Sequence, residues 1–215
     1  MLFIIFSKHL RIVNAVFSMG KLDNLRRKFK KYSEITQVDE IARRYFVMNA
    51  FDGCLTILGI LVGAYVAGVF DARIIIGVGF GSSIAMGMSG LFGAYMAEAA
   101  ERKKKVQELE QSLLTDLENS VIAKASRFSS YYVAIIDGIA PFVAAQVSLI
   151  PVYLSFFAIF AIQLAMEISM VLILGILFML GVFLGRISKD NLIVSGLKMV
   201  VAGLITFAII LIVGI

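Results

Sequence analysis

Residues 43–65 read RRYFVMNAFDGCLTILGILVGAY, and the apolar run that follows the two arginines continues to Phe70. A helix needs about 20 predominantly apolar residues to cross the roughly 30 Å of hydrocarbon in a bilayer. The stretch from Tyr45 to Phe70 is long enough and contains a single charged residue, Asp52. It therefore predicts a transmembrane helix with a cationic flank at one end and one acid inside.

Four more apolar stretches meet the same length criterion. Of the whole chain, 60% is hydrophobic and 16% charged, whereas soluble domains average about 45–50% and about 25%. The fourth stretch is longer than a bilayer requires and predicts a tilted or protruding helix. The fold class is thus an all-α integral membrane protein: five transmembrane helices, with a short cytosolic helical insert between helices 2 and 3. The additional spans are Ile74–Ala97, Tyr132–Ile150, Tyr153–Leu184 and Leu192–Ile215.

The distribution of lysine and arginine predicts the orientation in the membrane. These residues are dense before the first span, between the second and third, and again at Arg186 and Lys189, whereas the two other connections contribute only Arg73. Basic loops stay in the cytosol, so the N-terminus is expected inside and the C-terminus outside. The basic excess therefore orients the chain in the lipid bilayer, and we expect no nucleic-acid partner.

Two regions are expected. Residues 1–44 form a cytosolic N-terminal segment with an amphipathic helix at 34–44, and residues 45–215 form the transmembrane domain, including the cytosolic helical insert at 101–127. The apolar run before Lys8 is too short to span a membrane and predicts at most an interfacial helix. The alternative is that translation starts at Met19 and that residues 1–18 are not part of the native protein. The only cysteine, Cys54, lies inside a span, so no disulfide framework can form.

The insert combines an apolar stripe with an acidic one. The apolar stripe predicts that the second span continues as an amphipathic helix, which needs a partner such as a second subunit. Glutamates Glu98, Glu101 and Glu108, with Asp116, fall within about 80° of arc at 100° per residue. They are candidate ligands for collecting divalent cations at the cytosolic mouth. The alternative is a solvated charged face, because Lys105 lies in the same arc. The apolar positions are Val106, Leu109, Leu113, Leu117 and Val121.

Acidic residues inside the spans are the strongest functional signal. A charge at mid-bilayer costs about 2.5–3.5 kcal/mol or more, so such acids face a cavity, pair, or carry protons. Asp52 and Asp137 fall at similar depth on different helices, which predicts a cation site. Met48 shares the face of Asp52, and the second span contributes Met86, Met88 and Met96 near its inner half. Thioether with carboxylate suits a transition metal, although methionines also serve as gap-fillers in helix packing.

Two further patterns leave alternatives open. Glu167 is either a neutral, hydrogen-bonded residue of the bundle or a proton carrier. Small residues recur at every fourth position of the second span, which predicts close helix packing, or a surface along which helices slide between two transport states. These small residues are Gly77, Gly81, Ala85, Ser89, Gly93 and Ala97, and Gly59, Gly63 and Ala67 repeat the pattern on the first span.

The first span, together with GAYMAEAAERKKKVQELE (93–110) and SGLKMVVAGLITFAIILIVG (195–214), resembles the vacuolar iron transporter family over about residues 41–215. The resemblance implies a five-span homodimer that exports Fe²⁺, with Mn²⁺ as a further substrate, from the cytosol in exchange for protons. By the same resemblance, Asp52 matches a pore-lining aspartate. Two features differ: Gly93-Ala94-Tyr95 replaces the family's Gly-Glu-Tyr, leaving Glu98 as a substitute one turn later, and the insert is shorter than the family's three-helix metal-binding module.

The leading hypothesis is a proton-coupled exporter of a divalent transition metal, Fe²⁺ or Mn²⁺. The alternatives are a non-transporting membrane scaffold or partner-binding subunit, and a transporter of a different cation. The sequence holds no Ser/His/Asp constellation and one histidine, His9. We therefore expect neither enzymatic activity nor a resident cofactor.

Overall fold

The computed structural model describes residues 27, 29–159 and 161–213. The expectations for residues 1–18 and for Met19 as initiator fall outside the described residues. Across these ranges the chain contains no β-strand.

Within the described part of the chain, five helices are long and apolar enough to cross a membrane. The predicted all-α, five-span fold is therefore confirmed, and the chain is a multi-pass membrane protein. A sixth, short helix, α4, precedes the fourth spanning helix. The helices are α1 (Val38–Val66), α2 (Ala72–Leu113), α3 (Val121–Ser148), α4 (Ile150–Phe156), α5 (Ile162–Ser188) and α6 (Leu192–Val213).

The amphipathic helix expected at 34–44 is not a separate element. Residues 29–36 are helical, Gln37 adopts a left-handed conformation (φ 52°), and α1 then runs without a break from Val38 into the membrane span. Asp39 and Glu40 lie in the first turn of α1, where the positive end of the helix dipole favours acidic side chains. The interruption thus lies at Gln37, seven residues before Arg44.

The insert is built from the ends of two spanning helices. α2 continues past the membrane span to Leu113, as its apolar periodicity predicts, and then ends because Leu114 turns left-handed (φ 51°). The hydroxyl of Ser120 accepts a hydrogen bond from the backbone N–H of Ala123 and so caps α3. Residues 114–120 form the connection, so the predicted apolar stripe does not continue on one helix beyond Leu113.

The long fourth apolar stretch is not one tilted helix. α4 covers its beginning, with Pro151 in the first turn, where the missing N–H of proline costs no helical hydrogen bond. The chain then turns through a left-handed residue, Ala158 (φ 59°), before α5 starts. The excess length of the apolar run is therefore used for a short helix and a turn.

Helix α1 joins the two halves of the bundle. It packs against α3, which in turn packs against α2, and on its other side it meets the paired helices α5 and α6. The core centres on Ile57, Leu58 and Leu61 of α1, with Ile173 and Leu177 of α5, all nearly inaccessible to solvent. α2 and α6 lie at the periphery, with few buried residues.

Glycines bring α1 and α2 into backbone contact with α3. A Cβ atom at Gly53 would collide with the carbonyl oxygen of Pro141, and one at Gly138 would lie 2.7 Å from the carbonyl oxygen of Gly87. In the other direction, a Cβ at Gly87 would lie 3.0 Å from the oxygen of Gly138. Because no side chain fits between them, the three helices cross as closely as their backbones permit.

We expect Gly53→Ala to destabilise the protein, because the added methyl group must displace the backbone of α3. Overpacking of this kind costs about 1–3 kcal/mol. Gly175→Ala is the control, since nothing lies within 4 Å of its Cβ position, and alanine raises helix propensity by up to about 1 kcal/mol. Melting temperatures of the detergent-solubilised variants test this. Equal melting of Gly53→Ala and the native protein would contradict the close crossing.

Candidate functional site

A cavity of about 580 Å³ lies where α1, α2 and α3 cross. Its polar wall consists of side chains from all three helices, and most of the remaining wall is formed by small residues of α2. The cavity is open at the surface of the single chain, because Asp52 and much of the α2 wall are exposed. The polar and sulfur-bearing lining residues are Tyr45, Asn49, Asp52, Met86, Ser89 and Asp137.

The two carboxylates of the cavity have different surroundings. Asp137 is 5% exposed, and its Oδ1 accepts a hydrogen bond from the side-chain amide of Asn49. Asn49 Nδ2 also donates to the backbone oxygen of Tyr45 at 3.0 Å, which fixes the amide. Asp52 is exposed and has no hydrogen-bond partner among the described residues. The site thus holds one positioned carboxylate and one that is free to bind.

The methionine in the cavity is Met86. The other candidate methionines, Met48, Met88 and Met96, are 53%, 51% and 70% exposed and do not line the cavity. Met86 is partly buried and packs against the core beside the two acids. The structure therefore brings together Asp52, Asp137 and one thioether, and places Met48 and Met88 elsewhere on the surface.

The acidic residues of the insert are paired with neighbouring cations. Glu98 Oε2 lies 3.2 Å from Arg102 Nε, with side chains only 13% and 10% exposed. Glu101 pairs with Lys105 at 3.3 Å, and Glu108 with Lys104 at 3.9 Å, both at the surface. No group of three or more His, Cys, Asp or Glu side chains that could hold a metal occurs within residues 27–213 as described.

Asp116 lies apart from these glutamates, in the connection after α2. Its Oδ1 accepts a hydrogen bond from the backbone N–H of Glu118 at 2.8 Å. The helix that would have aligned it with Glu98 and Glu108 has already ended at Leu113. Asp116 therefore does not lie on the same helix face as the three glutamates.

The stripe of small residues on α2 is uncovered in the single chain. All six positions from Gly77 to Ala97 are exposed, and Gly77, Gly81 and Gly93 have nothing within 4 Å of a Cβ position. α3 packs instead on the adjacent face of α2, through Gly87 and Gly90. The stripe therefore forms the wall of the cavity and its continuation along the surface.

No model of a known protein family matches the chain. It is 38% identical over 173 residues to the uncharacterized protein MJ0645 of Methanocaldococcus jannaschii, and the match covers 79% of this chain and 86% of that protein. The chain belongs to the same family as this archaeal protein. The relative's name states no activity, so the function of this family member has to be argued from its own residues.

Glu167 of this family member lies away from the cavity. Its Oε1 accepts a hydrogen bond from the hydroxyl of Tyr65 at 3.3 Å, which connects the end of α1 with the beginning of α5. Glu167 is exposed and does not belong to the cavity lining. The contact gives this acid a structural partner remote from the two aspartates.

An uncharged network on the other side of the glycine crossing was not apparent in the sequence. Gln146 Nε2 donates to Ser83 Oγ at 2.6 Å, and the hydroxyl of Tyr153 donates to Gln146 Oε1 at 2.5 Å. These bonds join α2, α3 and α4. The sequence does contain an amide, Gln146, within an apolar span, and this indicates a hydrogen-bond partner because a polar group in hydrocarbon needs one.

Asn49 was likewise missed, although it precedes Asp52 by three residues and therefore lies on the same side of α1. With it, the cavity offers carboxylate and amide oxygens, a hydroxyl and a thioether sulfur. These groups are acceptors with a net negative charge when both acids are ionised. The arrangement can bind a cation and, in its absence, protons.

Proposed function

We propose that this protein is a proton-coupled transporter that exports a divalent transition metal, Fe²⁺ or Mn²⁺, from the cytosol. The observation that carries the proposal is the pair Asp52 and Asp137, which come from different spanning helices and line one cavity. Two carboxylates within membrane-crossing helices are costly unless they neutralise a ligand or take up protons. A dication matches their combined charge.

The donor set supports a transition metal. Carboxylate oxygens bind every divalent cation, but the Met86 thioether is a soft ligand that calcium and magnesium do not favour. Asn49 holds Asp137 in place, and the free carboxylate of Asp52 can close on an entering ion. Glu98 forms an ion pair with Arg102. The ligand that α2 contributes to this site is therefore Met86 and not Glu98.

Proton coupling follows from the same two acids. Metal binding requires deprotonated ligands, and departure of the metal leaves two neighbouring carboxylates without compensation. In a site of low dielectric they take up protons on the return step. The resemblance to vacuolar iron transporters, including the position of Asp52 on the first span, supports the same exchange and the direction out of the cytosol.

A homodimer would cover the exposed side of this site. Asp52 and the small-residue stripe are uncovered in one chain, and an acid facing lipid is costly. A second copy that packs on Gly59 and Gly63 of α1 and on the stripe would exclude lipid from both cavities. The alternative, a non-transporting scaffold, gives no role to the two intramembrane acids.

Asp52→Asn should reduce Fe²⁺ or Mn²⁺ transport in proteoliposomes at least about tenfold, equal to about 1.4 kcal/mol. Asparagine retains the shape but removes the charge, so the melting temperature should be unchanged or higher. Glu167→Gln serves as control, because this acid lies outside the cavity, and should retain transport. A stable Asp52→Asn protein with native transport would remove Asp52 from the site.

The proposed orientation can be tested with single cysteines in a Cys54→Ser background. Ala72, which begins α2, and Lys189, which follows α5, should react with an impermeant thiol reagent from opposite sides of the membrane. Lys189 belongs to a basic connection and should label from the cytosol. Labelling of both positions from one side would refute the five-span topology with the N-terminus inside.

The dimer should be detectable by cysteine crosslinking in native membranes. Cysteines at Gly63, one turn after Gly59 and with nothing within 4 Å of its Cβ position, and at Leu113 at the end of α2, are expected to form crosslinked dimers. A cysteine at Gly175, on a part of α5 remote from the cavity, is the matched control and should not. A monodisperse monomer in bilayers, with no crosslink at either test position, would contradict the dimer.

A further inference from the structure

Pro141 lies inside α3, four residues after Asp137. In an α-helix the N–H of residue i donates to the carbonyl oxygen of residue i−4. Proline has no N–H, so the main-chain carbonyl of Asp137 loses its helical donor. Among the described residues, no side chain and no backbone group of another helix donates to this oxygen.

The freed carbonyl lies beside the carboxylate of the same residue. A Cβ atom at Gly90 would be 2.9 Å from the carbonyl oxygen of Asp137 and 3.1 Å from its Oδ2. Asp137, Pro141 and Gly90 all line the cavity. Glycine at position 90 therefore lets the backbone of α2 pack closely on Asp137, and no side chain at this position covers the two oxygens.

We propose that the main-chain carbonyl of Asp137 is an oxygen ligand for the transported cation, and that Pro141 is the positioning residue that makes it available. This inference rests on the proposed function. A backbone carbonyl without a donor is costly within a membrane, and an ion or water in the cavity satisfies it. Broken helices supply carbonyl ligands to cations in other transporters by the same physical logic.

The extra ligand narrows the substrate class. Carboxylate and carbonyl oxygens suit hard ions that accept many ligands, such as Mn²⁺, whereas Zn²⁺ prefers four-coordinate nitrogen and sulfur sites. A neutral oxygen adds coordination without adding charge. The carbonyl should therefore contribute more to the binding of Mn²⁺ or Fe²⁺ than to the binding of Zn²⁺.

The backbone of Pro141 also takes part in packing, since its carbonyl group lies against Gly53. The effect of the proline ring and the effect of the missing N–H can be separated with two substitutions at this position. Pro141→Ala removes the ring and restores the N–H, which can then bond the carbonyl of Asp137. An alanine analogue with an ester oxygen in place of the N–H at position 141 removes the ring but leaves that carbonyl free.

The experiment measures binding of Mn²⁺ and Zn²⁺ to the purified full-length protein by equilibrium dialysis. We expect Pro141→Ala to weaken Mn²⁺ binding at least about tenfold, equal to about 1.4 kcal/mol, with a smaller effect on Zn²⁺. The ester analogue should keep the native preference for Mn²⁺. Native preference in Pro141→Ala, or the same loss in both variants, would overturn the inference.

A second variant tests the same contact by a substitution in α2. Gly90→Ala places a methyl group against both oxygens of Asp137 and should also weaken Mn²⁺ binding, whereas Gly175→Ala should not. Native Mn²⁺ affinity in a folded Gly90→Ala protein would contradict the ligand role. Failure of the native protein to bind any divalent cation would instead refute the proposed function itself, so the two failures are distinguishable.

Discussion

Backbone contact between α3 and its two neighbours is the constraint on which the rest of the cavity depends. Where Gly53 meets Pro141 and Gly87 meets Gly138, no side chain separates the helices. Each aspartate immediately precedes one of these glycines, so the crossing places both carboxylates at one level. The glycines after Asp52 and Asp137 thus bring the main chains of the three helices together.

The five spans follow from sequence because length and hydropathy determine what a bilayer can accept. The interruption between α4 and α5 does not, since the connecting residues 157–161 are all apolar and include neither glycine nor proline. The sequence also says little about how each helix is rotated about its own axis. The membrane-spanning parts of α1 and α2 are mostly apolar on every side, so their periodicity does not specify which face meets a neighbour. The sequence therefore does not distinguish Met86, which lines the cavity, from Met88 and Met96.

The helical spacing of the acidic residues in the insert does not show whether their carboxylates are free or paired. The spacing of three or four residues that aligned Glu98, Glu101 and Glu108 also places lysines and arginine within reach of them on the same helix. Pairing with those cations neutralises the stripe locally. Asp52 has no such neighbour, because its span contains no basic residue. The two sets of acids therefore differ in what surrounds them.

The glycine crossing has a mechanical consequence. Side chains that interdigitate resist rotation of one helix against another. Two helices whose backbones meet with no side chain between them can rotate about that contact. On one side of it, the Ser83–Gln146–Tyr153 hydrogen bonds hold α2 to α3 and α4. On the other, the stacked rings of Tyr95 and Tyr131, with centroids 4.9 Å apart, join the same two helices. α2 and α3 are thus held together at two levels, whereas α1 meets α3 at the Gly53–Pro141 contact and through the Asn49–Asp137 hydrogen bond. Because both carboxylates lie beside these contacts, a rotation between α1 and the α2–α3 pair about them would displace the helix ends farther than the carboxylates.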